Sequence, residues 1–294
     1  MRPRTEVGTL LDGEDCRAIF EPRAARGADL RGHINAFGGF MMELSAVIQA
    51  RMSSRRLPGK VMRDLGGTPA LAHVVKRCRG FATQVVVCTS TDASDDPIAG
   101  WCDREEVLVV RGSLDNVFAR FRQTLRHPQL RQTEFFARVT ADCPLVSDTL
   151  ANEALQVASS EHADYVGFAP DSAARGLAVE ILRTQAFERI DIESLSRYER
   201  EHVAPRLYNG VGHFNAVYIS APKELAHAEV RLTLDYPEDA ALLDTLLSTD
   251  TDMTAEEAVR RVLEDPQLFR MNAHCRQLTD NQQRSEPDKE PGAN

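Results

Sequence analysis

The stretch "VIQARMSSRRLPGKVM", Val47 to Met62, starts as a buried strand and turns into a loop bearing Arg51, Arg55, Arg56 and Lys60. Pro58-Gly59 sets a turn that presents Lys60. The whole chain is acidic: 35 Lys and Arg stand against 44 Asp and Glu, a formal net charge of -9 over 294 residues. Nucleic-acid binding needs a broad basic face, which this balance argues against. A local basic cluster on an acidic background points to a small anionic ligand, and the four cations could face one phosphate chain. Composition alone leaves a solvated surface loop equally open. Neither common phosphate cradle is present. A Walker A loop needs a glycine where Ser54 stands and Ser or Thr where Val61 stands, and no G-x-G-x-x-G occurs.

Outward from this stretch the chain alternates. "LSAVIQA" (44–50) predicts a strand, and "PALAHVVKRCRG" (69–80) a helix with Pro in its first turn and Gly at its end. "QVVVCTS" (84–90), "EVLVVRG" (106–112) and "EFFARVTAD" (134–142) predict buried strands. "SDDPIAGWCDR" (94–104), "SLDNVFARFRQTLRH" (113–127) and "SDTLANEALQVASS" (147–160) predict helices, and Asp95 and Asp96 read as caps of the first of these. Strand, helix, strand with short connections means an α/β domain, a largely parallel sheet covered by helices. Right-handed crossovers then gather the loops that follow the strands along one sheet edge, the cationic loop among them. Beyond 160 the rhythm changes. "ADYVGF", "GLAVEIL", "HFNAVYIS" and "RLTLD" read as strands, "TQAFERI" and "SRYEREHVAPRLY" as helical, and "YPEDAALLDTLLS" as the closing helix. This part is expected to complete the sheet and one side of a cleft.

Residues 1–40 lack a clear period and are expected to be a poorly ordered extension, with the folded domain starting near Met41-Met42 and running over 41–275. The polar segment 276–294 is expected to be a disordered tail. The six cysteines form no C-x-x-C pair, so reduced thiols of a cytoplasmic protein are expected rather than zinc ligands. No apolar run approaches the ~20 residues that span a bilayer. The acidic N-terminus is unlike a signal peptide.

The segment "IQARMSSRRLPGKVMRDLGGTPALAHVV" resembles the opening signature of the cytidylyltransferase family that makes CMP-activated acidic sugars, closest to its spore-coat polysaccharide biosynthesis branch. The match covers Gln49, Ala50, Arg51, Met52, Ser54, Arg56, Leu57, Pro58, Gly59, Lys60 and Val61, then Leu65, Gly67, Pro69 and Leu71. Ser53 replaces the usual Gly, and Arg55 the usual Thr or Lys. Further on, "VVRGSLDNVFARF", "RVTADCPLVS", "ARGLAVEIL", "EREHVAPRLYN" and "RLTLDYPEDAALL" resemble later family motifs in their family order. Asn116, Ala119 and Ala178 stand where the family pattern has acids.

The resemblance implies a mostly parallel, Rossmann-like nucleotidyltransferase sheet of the nucleotide-diphospho-sugar transferase type. It implies transfer of CMP from CTP to an acidic sugar or sugar-like acid, with Mg²⁺ and release of pyrophosphate. It implies no nucleic-acid or membrane partner and leaves a homodimer open. Nucleotidyl transfer brings an anionic nucleophile to a polyanion, so it needs in-line positioning and cations on the leaving group. Arg51 and Lys60 are accordingly expected at the triphosphate, and Arg56 either there or holding the loop; Arg55 is expected in solvent. Ala50, Ser54, Thr89, Ser90, Arg111, Gly112 and Ser113 complete the expected nucleotide-binding set, although Ser113 could equally cap the helix beside it. Asp142 and Asp235, each expected at a strand end, match the family's metal-binding positions, and Mg²⁺ often takes only one or two protein carboxylates. Arg175, Glu180, Arg200, Glu201 and His202 sit on motifs expected at the acceptor. Salt bridges within "SRYEREHV" are the other reading of the last three. Three rivals stand: a guanylyl- or other nucleotidyltransferase acting on a sugar phosphate, a glycosyltransferase consuming a nucleotide sugar, and a non-catalytic relative.

Overall fold

A computed structural model describes residues 43–275. The expected extension (1–40), Met41-Met42 and the tail (276–294) lie outside the described residues. The strands are β1 (Leu44–Gln49), β2 (Asp64–Leu65), β3 (Thr68–Pro69), β4 (Gln84–Ser90), β5 (Leu108–Gly112), β6 (Phe135–Thr140), β7 (Tyr165–Phe168), β8 (Glu180–Arg183) and β9 (Ala216–Ile219). The helices are α1 (Ala70–Phe81), α2 (Asp96–Arg104), α3 (Val117–Leu125), α4 (Asp148–Ser160), α5 (Thr184–Glu188), α6 (Arg197–His202), α7 (Pro205–Tyr208), α8 (Pro237–Thr249), α9 (Ala255–Glu264) and α10 (Pro266–Asn272).

Seven strands form one sheet in the order β5-β4-β1-β6-β8-β7-β9, and β2 and β3 pair separately. β1, β4, β5 and β6 are mutually parallel, whereas β8 runs antiparallel to both β6 and β7. The expected mostly parallel, helix-covered sheet is therefore present. Its central strands are apolar on both faces because both faces are covered. Ala46 and Ile48 of β1 pack with Leu71, Val74, Ile98, Trp101 and Ala154 of α1, α2 and α4. Val47 packs on the other face with Val117, Phe118 and Phe121 of α3 and Phe187 of α5.

The chain first moves from β1 outward through β4 to β5, then returns to the far side of β1 at β6. A right-handed crossover that reverses direction must change faces, which is why α1 and α2 lie on one face and α3 on the other. The reversal opens a crevice beyond the C-terminal ends of β1 and β6, the place where open α/β sheets bind ligands.

The second half departs from the sequence reading. "RLTLD" forms no strand of the sheet and makes only an isolated bridge between Arg231 and Arg175. "GLAVEIL" yields a strand only from Glu180. The helical reading of "SRYEREHVAPRLY" splits at Val203, whose φ of 71° ends α6. α8 is not the closing helix, because α9 and α10 follow it. Together they cover a third core that includes Leu65, Leu145, Leu177 and Leu234. Among the described residues no helix is long and apolar enough to cross a membrane.

Glu199 fixes the corner between α6 and α7. It completes a capping box with Ser196 and accepts from Arg206 Nε at 2.6 Å and Asn209 Nδ2 at 3.2 Å. The bond from Arg206, with those from Ser196, outweighs burial and holds the Glu199 carboxyl down at about 2 from an ordinary 4.5. A depressed carboxyl contributes stability that is full above its unfolded pKa and lost as pH falls through the folded one. Acid melts should therefore lose a component between about pH 4.5 and 2, and Glu199→Gln should lower stability at neutral pH while flattening that limb. An unchanged acid limb in Glu199→Gln would exclude this anchor.

Candidate active site

The loop after β1 is tied down before it presents anything. Ala50 N–H donates to Cys88 O at 3.1 Å, and Gly59 N–H to Met52 O at 3.0 Å. Met52 N–H donates to Asp95 Oδ1 at 2.7 Å, while Asp95 Oδ2 accepts from Ser90 N–H at 3.1 Å and Ser90 Oγ at 2.5 Å. Asp95 is fully buried and makes no side-chain cap bond to α2. The expectation of a cap is corrected: Asp95 staples the cationic loop to the end of β4. Asp96 instead pairs with Arg111 at 2.7 Å. Gly59 has a φ of 71°, left-handed backbone that glycine adopts without steric cost, and it turns the chain into a short 3₁₀ turn from Lys60 to Met62.

That turn drives Lys60 inward. Its Nζ lies 2.5 Å from Asp142 Oδ2 and 2.8 Å from Asp235 Oδ1. Burial works against the Lys60 charge, but the two carboxylates outweigh it and hold its pKa above the ordinary lysine value. Burial likewise opposes the Asp142 charge, and Lys60 overcomes it, leaving the carboxyl below its ordinary value. Arg56 reaches Asp235 Oδ1 at 2.9 Å and lies over the Tyr236 ring, 4.9 Å from its centroid. Arg51 and Arg55 are exposed.

Asp142 follows β6 directly, as expected, whereas Asp235 ends no strand of the sheet. It is carried in by backbone pairing. Leu234 N–H donates to Asp142 O at 2.8 Å, Leu232 N–H to Arg175 O at 2.8 Å, and Arg175 N–H to Val230 O at 2.9 Å. Gly176 permits this approach: its φ is 88°, and a Cβ there would sit 2.7 Å from Leu232 O and Thr233 N. Gly176→Ala should therefore cost about 1–3 kcal/mol in backbone strain alone. Any remaining folded protein should have Asp235 displaced. Denaturant melts would test this, and a wild-type midpoint would contradict it.

On the expected nucleotide side, register places Thr89 beside Arg111 and Ser90 beside Gly112, so these residues share one edge with Ala50. Ser90 Oγ is committed to Asp95 and Arg111 to the end of β4 and the segment after it, whereas the buried Thr89 Oγ1 has no hydrogen-bond partner among the described residues. Thr89 and Ser90 are fully buried. Arg111 donates to Ser90 O at 2.8 Å and Asp92 O at 3.0 Å. Ser54 Oγ accepts from Leu57 N–H at 3.4 Å. Ser113 does not cap α3. Asn116 does, and Ser113 Oγ accepts from Asn116 N–H at 3.0 Å. Beneath Gly112 lies Arg120, only 1% exposed, which donates to Ser113 O at 2.6 Å. It was not picked out in the sequence, where it reads as one more cation of an amphipathic helix.

On the expected acceptor side, Glu180 is bound by Arg138 across the strand pair and accepts from Tyr165 Oη at 2.8 Å. Arg138 also donates to Gln49 Oε1 at 3.2 Å, linking this network to the end of β1. Arg175 is half-buried and pairs with Asp171 at 3.6 Å. Arg200 donates to Leu195 O at 3.1 Å and Ile192 O at 3.3 Å. Glu201 is exposed, and the His202 ring lies 4.3 Å from that of Tyr198.

A divalent cation of the hard, oxygen-preferring type fits this donor set. Asp142 and Asp235 already converge on one ammonium nitrogen, and two carboxylates suffice when phosphate and water complete the shell.

Comparison with known proteins bears on the family and the fold. The chain is 29% identical over 242 residues to the spore coat polysaccharide biosynthesis protein SpsF of Bacillus subtilis (strain 168), covering 77% of this chain and 96% of that protein. Among solved structures, a cytidylyltransferase from Leptospira borgpetersenii superposes with a TM-score of 0.68 at 25% identity, covering 78% of this chain and 97% of that one. The CMP:2-keto-3-deoxy-manno-octonic acid synthetase complexed with CTP shares the fold, with a TM-score of 0.51 at 15% identity over 71% of this chain and 99% of that chain. The sequence model of the Cytidylyltransferase family matches residues 45–272, from the first strand to the last helix of the described fold. With its motifs in family order and its two carboxylates converging beside the β1 loop, the chain belongs to the cytidylyltransferase family.

Proposed function

We propose that the protein transfers CMP from CTP to an acidic sugar or sugar-like acid, releasing pyrophosphate, with Mg²⁺ held by Asp142 and Asp235. The observation that carries this reading is Lys60, set between those two carboxylates at the edge beyond β1 and β6. Lys60 and Arg51 supply positive charge to the triphosphate, and Arg56 holds Asp235 from the loop side. The strand-end residues Ala50, Ser54, Thr89, Ser90, Arg111, Gly112 and Ser113 form the wall for the nucleoside. Because Thr89 and Ser90 bury their side chains, they act there by shape and backbone.

Glu180 faces the acceptor as a hydroxyl-accepting group fixed by Arg138, and Arg175, Glu201 and His202 complete the acceptor side. The metal would supply Lewis acidity to the phosphoryl oxygens. Family membership, and a synthetase of the same fold complexed with CTP, support CTP as donor. Pyrophosphate release, measured with each of the four NTPs against a panel of acidic sugars, tests the reading. Release with CTP and an acidic sugar alone is expected. Equal release with GTP, or release only with sugar phosphates, would overturn it.

A further inference from the structure

Asp239, in the first turn of α8, is fully buried yet collects five donors. Its Oδ2 accepts from the backbone N–H of Asp235 at 2.9 Å and of Tyr236 at 3.0 Å, and from Arg231 Nη2 at 3.0 Å. Its Oδ1 accepts from Arg231 Nε at 2.8 Å and Asn272 Nδ2 at 2.9 Å. A helix N-terminus needs only one or two such bonds. The excess comes from Arg231 and Asn272, and Arg231 is shared with Asp235. Arg231 Nη2 also reaches Asp235 Oδ2 at 3.1 Å, the oxygen opposite the one that faces Lys60 and Arg56. Asp235 is thus held at its backbone by Asp239, at one carboxylate oxygen by Arg231, and has the other aimed at Asp142's side of the crevice. Asn272, the last residue of α10, closes the arrangement by donating to Arg231 O at 2.9 Å as well as to Asp239.

We propose that Asp239, Arg231 and Asn272 are positioning residues that set the orientation of the Asp235 carboxylate toward a divalent cation. The inference rests on the reading of Asp142 and Asp235 as the metal pair. A buried ion pair contributes little net stability over apolar packing, so the cost of burying Arg231 and Asp239 is better matched by orientation than by stability. Groups that orient metal ligands from behind typically change metal affinity about 10–100-fold when removed. The arrangement also makes α10, far from β6 in sequence, part of the site.

The test is Mn²⁺ binding, followed by electron paramagnetic resonance with CTP present, in wild type, Asp235→Asn, Asn272→Ala and Arg231→Lys. Asn272→Ala removes two hydrogen bonds without leaving a charge unpaired. Arg231→Lys keeps the charge and removes the fork, so one variant serves if the other misfolds. Both are expected to lose affinity about tenfold. Their turnover should recover at high metal concentration, a KM-type effect that a purely structural role does not produce. Loss in Asp235→Asn with wild-type affinity in the other two would overturn the positioning role. Unchanged binding in Asp235→Asn would overturn the metal reading itself, and this inference with it.

Discussion

Asp142→Asn and Asp235→Asn should each abolish most metal-dependent pyrophosphate release, by roughly a thousandfold, while both proteins fold. Both carboxylates meet one nitrogen, so the two residues act at one point in space. Removing a preorganised charge-stabilising group costs on the order of 3–4 kcal/mol of transition-state stabilisation. Asn keeps the shape of the side chain and its capacity to accept from Lys60, so the loop should stay seated. Groups that work as a unit are not additive, and the double variant should fall little below either single one. Steady-state rates across a Mg²⁺ titration, with circular dichroism as the folding control, would decide. Turnover within tenfold of wild type in either variant would dismiss the shared-metal assignment.

Lys60→Ala should lose both activity and stability, and the second loss is the more informative. A lysine in a surface loop reads as dispensable to folding. This one is buried between two carboxylates, and for Asp142 it supplies the paired cation. Taking one partner from a buried ion pair costs on the order of 3–5 kcal/mol, because the remaining charge is left uncompensated. The activity loss should be about 2–4 kcal/mol. Arg51→Ala is the contrast: Arg51 is exposed, so stability should move by no more than about 0.5 kcal/mol. Activity should still fall if it meets the triphosphate. If Asp142 and Asp235 hold Mg²⁺, the ion substitutes for the missing ammonium, and Mg²⁺ should raise the Tm of Lys60→Ala more than that of wild type. Thermal melts with and without Mg²⁺ would show it. Equal Tm values for Lys60→Ala and wild type would mean that the buried triad carries no net stabilisation.

The sequence by itself determined the layered α/β fold, because period and punctuation are local properties. Apolar runs at 44–50, 84–90 and 134–142, broken by capped amphipathic helices, leave few arrangements other than a parallel sheet. It also put Lys60 and Asp142 at the working edge, since Lys60 lies in the loop that follows β1, Asp142 comes just after β6, and right-handed crossovers fix where such loops go. Motif matching added Asp235 at the end of an expected strand, "RLTLD", that the sheet does not contain. Only the tertiary structure shows what does carry it in, the pairing of 230–234 with Arg175 and Asp142 that Gly176 allows. The same holds for Asp95, legible as a helix cap and in fact the staple of the cationic loop. In the sequence Arg231 and Asp239 are one charge of an expected strand and one acid of an expected helix, and Asn272 carries no signal at all. Their bonds converge because α8 and α10 pack over the loop that follows β6. Local pattern reports which face of an element is apolar. It carries no information on which polar groups from distant elements share one buried volume, and it is that sharing, enforced by the cost of leaving any of them unpaired, that builds the site.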